Sequence, residues 1–489
     1  MENRPHFDDN IQLLEVKDRV YCLTDSVAHT QAYGGKGLRD IYNDISTASA
    51  EDITALKNAG FISIGSEETN LVLKAKIEKR INKKDLDFSL LRILMTDRCN
   101  LSCDYCKVEQ NIKKVTQISA SKDKITEAIS FFFSNSDVKK PKVIHCTGGE
   151  PLVDWSTLIY IFEEAKRLAR KGENYWIVVG TNATLVTDEI ARQISEHKVK
   201  CIVSMDGPKE IHDILRKDYS GNGSWDRANR GMELLEKHGV EVSISMVVGR
   251  HNIKDIDRIV EWMYEKYKPT GLGVNFLKPP TKERQDYEYL ISGVEYARTL
   301  YSLHKKWRSR GLFIELVYRK MEPFVKRQYR VHDCGAAAGS NLNLDSRNNF
   351  GPCKSFLIME EMALQKLSPD DYKNTILNPW LRRSPIYMEE CTDCPAKGIC
   401  GNGCAYESFI STGSYYTVDK RSCEYTQEFY RLFIEDLYEL SGGSSRLKNG
   451  KGFYIISNDE RKQILGNVWE LEDSLSYSIG HHINFDLEG

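Results

Sequence analysis

From about residue 90 onward, short apolar runs alternate with longer stretches whose apolar positions return every three or four residues. LRILM (91–95), KVIHC (142–146), YWIVVG (175–180), KCIVSM (200–205), EVSISMVV (241–248) and GLGVNF (271–276) read as buried strands. STLIYIFEEAKRLARKG (156–172) and RANRGMELLEKHG (227–239) read as helices, each expected to stop at its terminal glycine. Apolar strands alternating with helices make a parallel sheet with right-handed crossovers. Six such units fit between residues 90 and 310, which predicts an α/β fold: a partial, TIM-like (β/α)6 barrel, open on one side, with its working face at the C-terminal ends of the strands.

The flanks break this rhythm. RVYCLT, GLRDIYNDI, AEDITALKNAG (stopped by Gly60) and FISI read as strand, helix, helix and strand, a small winged-helix-like module over 1–85, followed by a basic linker, KAKIEKRINKKDLD. Residues 330–430 have little periodicity. SGGSS (441–445) opens a tail expected to be a separate appendage. The division is therefore 1–85, a barrel over 86–310, an irregular domain over 311–440 and the tail 441–489. There is no internal repeat or low-complexity tract.

At 489 residues the chain exceeds one ordinary core. Lys and Arg number 68 and Asp and Glu 70, a balance that argues against nucleic acid or a charged membrane surface as partner. The first ten residues, MENRPHFDDN, hold no signal-like apolar run, and no stretch approaches the ~18 apolar residues of a membrane span. The expected compartment is the cytoplasm. There, the 13 cysteines point to metal rather than disulfides, because ten of them fall in two clusters. Cys22, Cys146 and Cys201 stand alone and read as small buried hydrophobes.

The first cluster, TDRCNLSCDYCKVEQ, puts Cys99, Cys103 and Cys106 in C-x3-C-x2-C spacing just beyond the first barrel strand. Three soft thiolates suit three irons of a cubane and leave a fourth iron open. A structural zinc site would want a fourth ligand, and no Cys or His stands beside these three. The second strand ends in CTGGEPL. With Tyr105 in the aromatic place, C-x3-C-x-aromatic-C followed by GGE resembles the radical S-adenosylmethionine superfamily. The resemblance implies that the open iron chelates S-adenosylmethionine, whose reductive cleavage yields a 5′-deoxyadenosyl radical. By the same resemblance, Gly148, Gly149 and Glu150 contact the cofactor, with Glu150 pairing its ammonium. TNATL (181–185) is similar to the family's third strand end, with Ala183 where glycine is usual, and gives Asn182 as a cofactor contact. VSMDGPKEIHDILR (203–216) is similar to the fourth and gives Ser204 and Arg216, the latter for the cofactor carboxylate, with Asp206 supporting the site.

The second set is Cys334, Cys353, Cys391, Cys394, Cys400, Cys404 and Cys423, with the core CTDCPAKGICGNGC. This resembles the SPASM extension of peptide- and protein-modifying radical enzymes. Asn348 stands at the family's glycine position, and asparagine tolerates the left-handed backbone that glycine would supply. The resemblance implies two auxiliary clusters, hence three [4Fe-4S] clusters in all. Cys391, Cys394, Cys400 and Cys423 would hold the outer auxiliary cluster and Cys334, Cys353 and Cys404 the inner, its fourth position open or filled by His332, Asp333 or water.

The implied activity is modification of a ribosomally made precursor peptide, by thioether or carbon–carbon crosslinking or by side-chain oxidation, with an electron donor such as flavodoxin or ferredoxin. The N-terminal module would serve as a leader-recognition element or as a lid. The alternatives are a sulfatase-type maturase that makes formylglycine and a non-catalytic iron–sulfur electron-transfer or scaffold protein.

Overall fold

The computed structural model describes residues 5–17, 19–63, 69–82, 85–108, 118–281, 283–310, 314–359, 362–447, 452–468 and 484–486. The N-terminal strands are β1 (His6–Phe7), β2 (Ile11–Lys17), β3 (Val20–Asp25), β4 (Gln31–Gly34) and β5 (Ile62–Ser63). The six barrel strands fall where the apolar runs predict: β6 (Leu90–Thr96), β7 (Lys142–Gly148), β8 (Tyr175–Thr181), β9 (Lys200–Ser204), β10 (Val242–Val248) and β11 (Leu272–Phe276). Later come β12 (Gln328–Arg330), β13 (Asn341–Leu344), β14 (Phe350–Gly351), β15 (Phe453–Ile455) and β16 (Asn484–Asp486).

The central sheet runs β11-β10-β9-β8-β7-β6-β13-β14. Every barrel pair is parallel, and β13 pairs parallel with β6. The expected partial barrel is therefore present, and the cysteine-rich segment extends its first edge by two strands. Helices cover the outer face because each turns one apolar stripe inward. Helix Lys122–Ser134, capped by Ser121, buries Ile125, Ala128, Ile129, Phe132 and Phe133, each worth about 1.5–3 kcal/mol for the larger side chains. Helix Trp155–Leu168 ends at Ala169, short of the glycine expected to stop it; Gly172 instead takes φ +81 in the following turn. Helix Trp225–Lys237 does end as expected, with Gly239 at φ +68 just past its cap. Gly60 likewise takes φ +82 beyond helix Ala50–Asn58.

Three expectations for the flanks need correction. The N-terminal unit is more than strand–helix–helix–strand: β2, β3 and β4 form an antiparallel meander, while β5 pairs with β1 outside it. The basic linker is largely helix, Thr69–Ile81, whose Leu73, Ile77 and Ile81 are buried at helical spacing. The tail is not separate, because β15 pairs antiparallel with β4 and completes a four-stranded sheet. Arg461 from the tail is buried and donates to the carbonyls of His29, at 2.9 Å, and Phe324. The sheet packs on helix Lys420–Leu440, where Tyr33 donates to the Ile434 carbonyl at 2.9 Å and Thr24 and Tyr430 share a hydrogen bond of 2.8 Å. That helix also carries Cys423. No described helix is long and apolar enough to cross a membrane.

Candidate functional site

The chain turns from the end of β6 directly into the segment holding Cys99, Cys103 and Cys106, all half-buried. None of the thirteen cysteines is joined in a disulfide. Cys99 is close enough to Cys106 and Cys103 to feel their charge, and Cys103 to feel that of Cys106. Burial above all pushes Cys99 and Cys103 up to about 12. Thiols this desolvated ionise readily only against a bound cation, so the loop fits an iron–sulfur group held by these three residues.

Other strand ends fix the loop. The Ser102 amide donates to the Lys217 carbonyl at 2.8 Å and that of Asp104 to Leu215 at 3.2 Å. The Asp104 carboxylate accepts from Tyr287 at 2.5 Å and from Arg284 at 3.3 Å, with the guanidinium 4.4 Å above the Tyr287 ring. Arg284 and Tyr287 come from the stretch after β11, and nothing in the sequence marked them.

The GGE turn meets this loop backbone to backbone. The amides of Gly149 and Glu150 donate to the carbonyls of Thr96 and Arg98, at 2.7 and 2.8 Å. A Cβ on Gly148, which has φ +136, would lie 2.2 Å from the Thr96 oxygen, and one on Gly149 2.1 Å from that of Arg98. Both glycines are thus required by the protein's own close approach. Glu150 is held within the chain. Its carboxylate is buried and accepts from Thr181 at 2.6 Å, the Asn182 amide at 2.7 Å and the Leu152 amide at 3.1 Å. Burial raises its pKa to about 7 against the pull of those donors. Glu150 therefore ties the end of β7 to the end of β8.

Asn182 is also engaged within the chain: it donates to Asn100 at 3.0 Å and accepts from the Thr184 amide at 2.9 Å. Ala183, at the usual glycine position, holds φ +59 in full burial. Its carbonyl oxygen would lie 2.0 Å from a Cβ on Gly231, so the neighbouring helix approaches through a glycine of its own.

Ser204 ends β9, in register with Ser245. Arg216 is paired within the chain. Asp206 binds it through both oxygens, at 2.7 and 3.1 Å, and accepts from Tyr105 at 3.0 Å and the Val247 amide at 2.9 Å. Burial alone would raise the Asp206 pKa, but the Arg216 charge and hydrogen bonds hold it below the ordinary value. The Arg216 guanidinium lies 5.4 Å from the Tyr105 ring centroid. Asp206 thus supports the loop, as expected, by fixing both its aromatic residue and the arginine beside it.

The seven later cysteines fall into two groups. Cys423 is in electrostatic contact with Cys400, Cys391 and Cys394, and the four line one pocket. Cys334 is in contact with Cys404 and Cys353. Burial pushes Cys391 up to about 12 and Cys394 and Cys334 to about 11, so both sets fit the same kind of metal group. Among the described residues no three His, Cys, Asp or Glu side chains converge on one point as they would around a single metal ion. Asn348 takes φ +68, the left-handed backbone expected of it. Two offered fourth ligands are engaged elsewhere: Asp333 is paired with Lys320 at 2.6 Å, and His332 Nε2 sits 2.8 Å from the Leu381 carbonyl. Arg383, fully buried, senses Cys404, Cys334 and Cys400 and so lies between the two sets, donating to Tyr415 O at 2.6 Å and Ser408 at 2.9 Å. Glu407 bridges toward the first loop, pairing with Lys107 at 2.5 Å and Lys278 at 3.5 Å. Cys22, Cys146 and Cys201 are fully buried and stand apart, as expected.

Residues 93–263 match the model of the Radical SAM superfamily. The chain is 25% identical over 341 residues to the cysteine-type anaerobic sulfatase-maturating enzyme of Clostridium perfringens, covering 65% of this chain and 88% of that protein. It is 22% identical over 455 residues to the radical SAM cyclopropyl synthase TigE of Paramaledivibacter caminithermalis, covering 87% of this chain and 90% of that protein. Among solved structures, Streptococcus suis SuiB bound to its precursor peptide SuiA matches with a TM-score of 0.54 at 14% identity, covering 86% of this chain and all of that one.

Proposed function

Taking the chain as a radical SAM enzyme with a cysteine-rich C-terminal extension, we propose that it modifies a ribosomally made precursor peptide. The observation that carries this reading is the N-terminal sheet, completed by β15 from the far end of the chain and packed on the helix that holds Cys423. A module built into the catalytic body in this way is suited to present a peptide to it. The likeness to SuiB, which was solved with a precursor peptide, and to TigE runs over most of the chain and so supports a role for the flanking parts. The match to the sulfatase-maturating enzyme spans only 65% of it.

In this proposal Cys99, Cys103 and Cys106 hold the cluster that binds S-adenosylmethionine. Cys391, Cys394, Cys400 and Cys423 hold an outer auxiliary cluster, and Cys334, Cys353 and Cys404 an inner one with one open position. When bound, the first cluster supplies the electron that cleaves S-adenosylmethionine and starts radical chemistry. The chain's residues do the positioning. Gly148 and Gly149 let the second strand end seat against the cysteine loop, Asp206 holds Tyr105 and Arg216 beneath it, and Glu150 locks two strand ends together. Arg383 and the Lys107–Glu407–Lys278 group set positive charge and a rigid bridge between the loop and the auxiliary sets.

A second reading, oxidation of a sulfatase Cys or Ser to formylglycine, is favoured by the identity to the Clostridium perfringens enzyme over 88% of its length. The test is anaerobic co-expression with a candidate short peptide from a neighbouring gene, followed by mass spectrometry. A mass loss of two hydrogens or a crosslink in that peptide supports the first reading. An unchanged peptide, together with formylglycine in a sulfatase-derived peptide, replaces it with the second.

A further inference from the structure

The register of the central sheet sets three polar residues in line. Asn343 of β13 lies opposite Arg92 of β6, and Arg92 lies opposite His145 of β7. Their chain neighbours Leu91, Ile93, Ile144 and Cys146 are fully buried in the main core. The pleat therefore turns Arg92 and His145 the other way, into the barrel. Leu90, Val143 and Trp176 lie one row below them and Val178 opposite His145; with Ile202 they form a small apolar cluster. Arg92 donates to the Asn343 side chain at 3.2 Å, while its Nε and both ring nitrogens of His145 have no partner. A Cβ on Gly180 would come within 2.9 Å of His145 Nε2, so glycine in β8 makes room for that imidazole.

Lys354 joins the group from the cysteine-rich domain, one residue after Cys353. Its side chain is exposed, yet it interacts electrostatically with Arg92, Cys353, Lys107 and Cys106. It therefore stands between the first cysteine loop and the inner cysteine set. His145 is acted on by Arg92 and Lys354 and by no acid. Lys107, the fourth cation here, is paired with Glu407. Among the described residues no carboxylate pairs with Arg92, His145 or Lys354. Arg92 also feels the Cys353 and Cys334 thiols, but Arg92 Nε and both nitrogens of His145 are buried without a partner, and buried donors of this kind are costly unless an acceptor joins them.

We propose that Arg92, His145 and Lys354 form a subsite that binds a carboxylate of the substrate and holds it beneath the radical-generating loop. This rests on the peptide reading and narrows it to a peptide that places a carboxylate near the reacting residue. A guanidinium fork accepts a carboxylate through two hydrogen bonds, and an imidazole and an ammonium add further donors. Arg92 lies four residues before the end of β6, about 13 Å below the strand end. That depth is beneath the GGE turn.

The test uses the full-length, cluster-reconstituted chain and four probes followed by ligand-observed NMR: acetyl-Gly-Asp-Gly-amide, acetyl-Gly-Asn-Gly-amide, acetyl-Gly-Asn-Gly as free acid, and acetate. The expected result is that a carboxylate-bearing tripeptide binds roughly tenfold more tightly than the neutral one. Lys354→Gln and Arg92→Gln should each erase the preference. The aspartyl amide winning identifies a side-chain carboxylate, and the free acid winning a C-terminal one. Lys354, exposed on a short helix, supplies the informative variant if Arg92→Gln fails to fold. Equal binding of all three tripeptides refutes the subsite and leaves the peptide reading standing. Acetate binding that Lys354→Gln abolishes, with no tripeptide bound, keeps the subsite and refutes the peptide reading. Failure of all four probes refutes the subsite. A preference that survives Lys354→Gln while the EPR signal of an auxiliary cluster shifts makes these cations counter-charges for the inner cysteines and overturns the proposal.

Discussion

Asp206 grips Arg216 through both carboxylate oxygens, at 2.7 and 3.1 Å, with neither side chain open to solvent. Removing one partner of such a pair strands a buried charge at a cost of about 3–5 kcal/mol, whereas removing both costs far less. Asp206→Asn should therefore destabilise the protein by that order in urea denaturation and lower its iron content, because Tyr105 loses its acceptor as well. Asp206→Asn with Arg216→Gln should recover most of the stability. If the double variant is as unstable as the single, the pair is not the coupled unit its geometry describes.

The three cysteine sets make a compositional prediction. Anaerobically reconstituted protein should carry about twelve irons per chain, four for each cubane. Replacing Cys99, Cys103 and Cys106 with Ala should abolish S-adenosylmethionine cleavage, while Cys394→Ala should retain part of it and make no modified peptide. Zinc in place of iron, or wild-type cleavage by the triple variant, would contradict the assignment.

Gly149→Ala should fail where Gly172→Ala is tolerated. The new methyl at Gly149 would lie 2.1 Å from the Arg98 oxygen, so the cysteine loop must move. At Gly172 the nearest atom is 3.9 Å away and only the positive φ is penalised, at about 1 kcal/mol. Iron loading and thermal midpoints of the two variants check this. Normal loading of Gly149→Ala would mean that the loop is not held by the GGE turn.

Truncation after Leu440 should open the N-terminal sheet rather than remove a passive tail. β15 covers the β4 edge, and Arg461 fills a buried position beside His29 and Phe324. Hydrogen exchange should accelerate at Gln31–Gly34 and remain slow in β7 and β8. Unchanged protection at Gln31–Gly34 would show that the edge holds without the tail.

His304 gives the pH dependence. It is buried, its ring centroid lies 6.3 Å from that of Tyr301 and 5.2 Å from that of Tyr318, and both ring nitrogens lack partners. Burial first, then the nearby Arg308 charge, lower its pKa to about 4, with Asp436 pulling the other way. An unfolded histidine titrates near 6.5, so between about pH 6.5 and 4 the unfolded chain binds more protons. Stability should therefore fall as the pH drops through that window, by roughly 3 kcal/mol from this residue at about 1.4 kcal/mol per unit. His304→Phe should flatten that part of the urea midpoint against pH. Identical slopes for variant and wild type would exclude a neutral buried imidazole.

Much of the site was legible because ligand chemistry is local. Three thiolates on one loop must lie close in sequence, and a Gly-Gly pair at a strand end announces a close approach, so Cys99, Cys103, Cys106, Gly148 and Gly149 could be read directly. What Glu150 and Arg216 contact was not legible. A carboxylate and a guanidinium satisfy themselves with whatever the fold brings nearest, and here that is Thr181 with Asn182, and Asp206. Arg284, Tyr287 and Glu407 carried no motif, because each acts through a partner more than a hundred residues away, Asp104 or Lys107; Arg383 carried none because it acts on the irregular loop around Asn402, Ser408 and Tyr415.

The sequence by itself determined the barrel strands, their parallel order, the cysteine sets and the left-handed place of Asn348, since these follow from periodicity, spacing and backbone sterics within short windows. Only the tertiary structure decided that β13 from the cysteine-rich domain extends the barrel edge, that β15 from the tail completes the N-terminal sheet, and that Asn343, Arg92 and His145 stand in one row. Each of these is a pairing between distant segments. An edge strand carries hydrogen-bonding groups that any compatible segment satisfies, and its choice among partners is made by the packing of the whole chain, not by the residues of the strand.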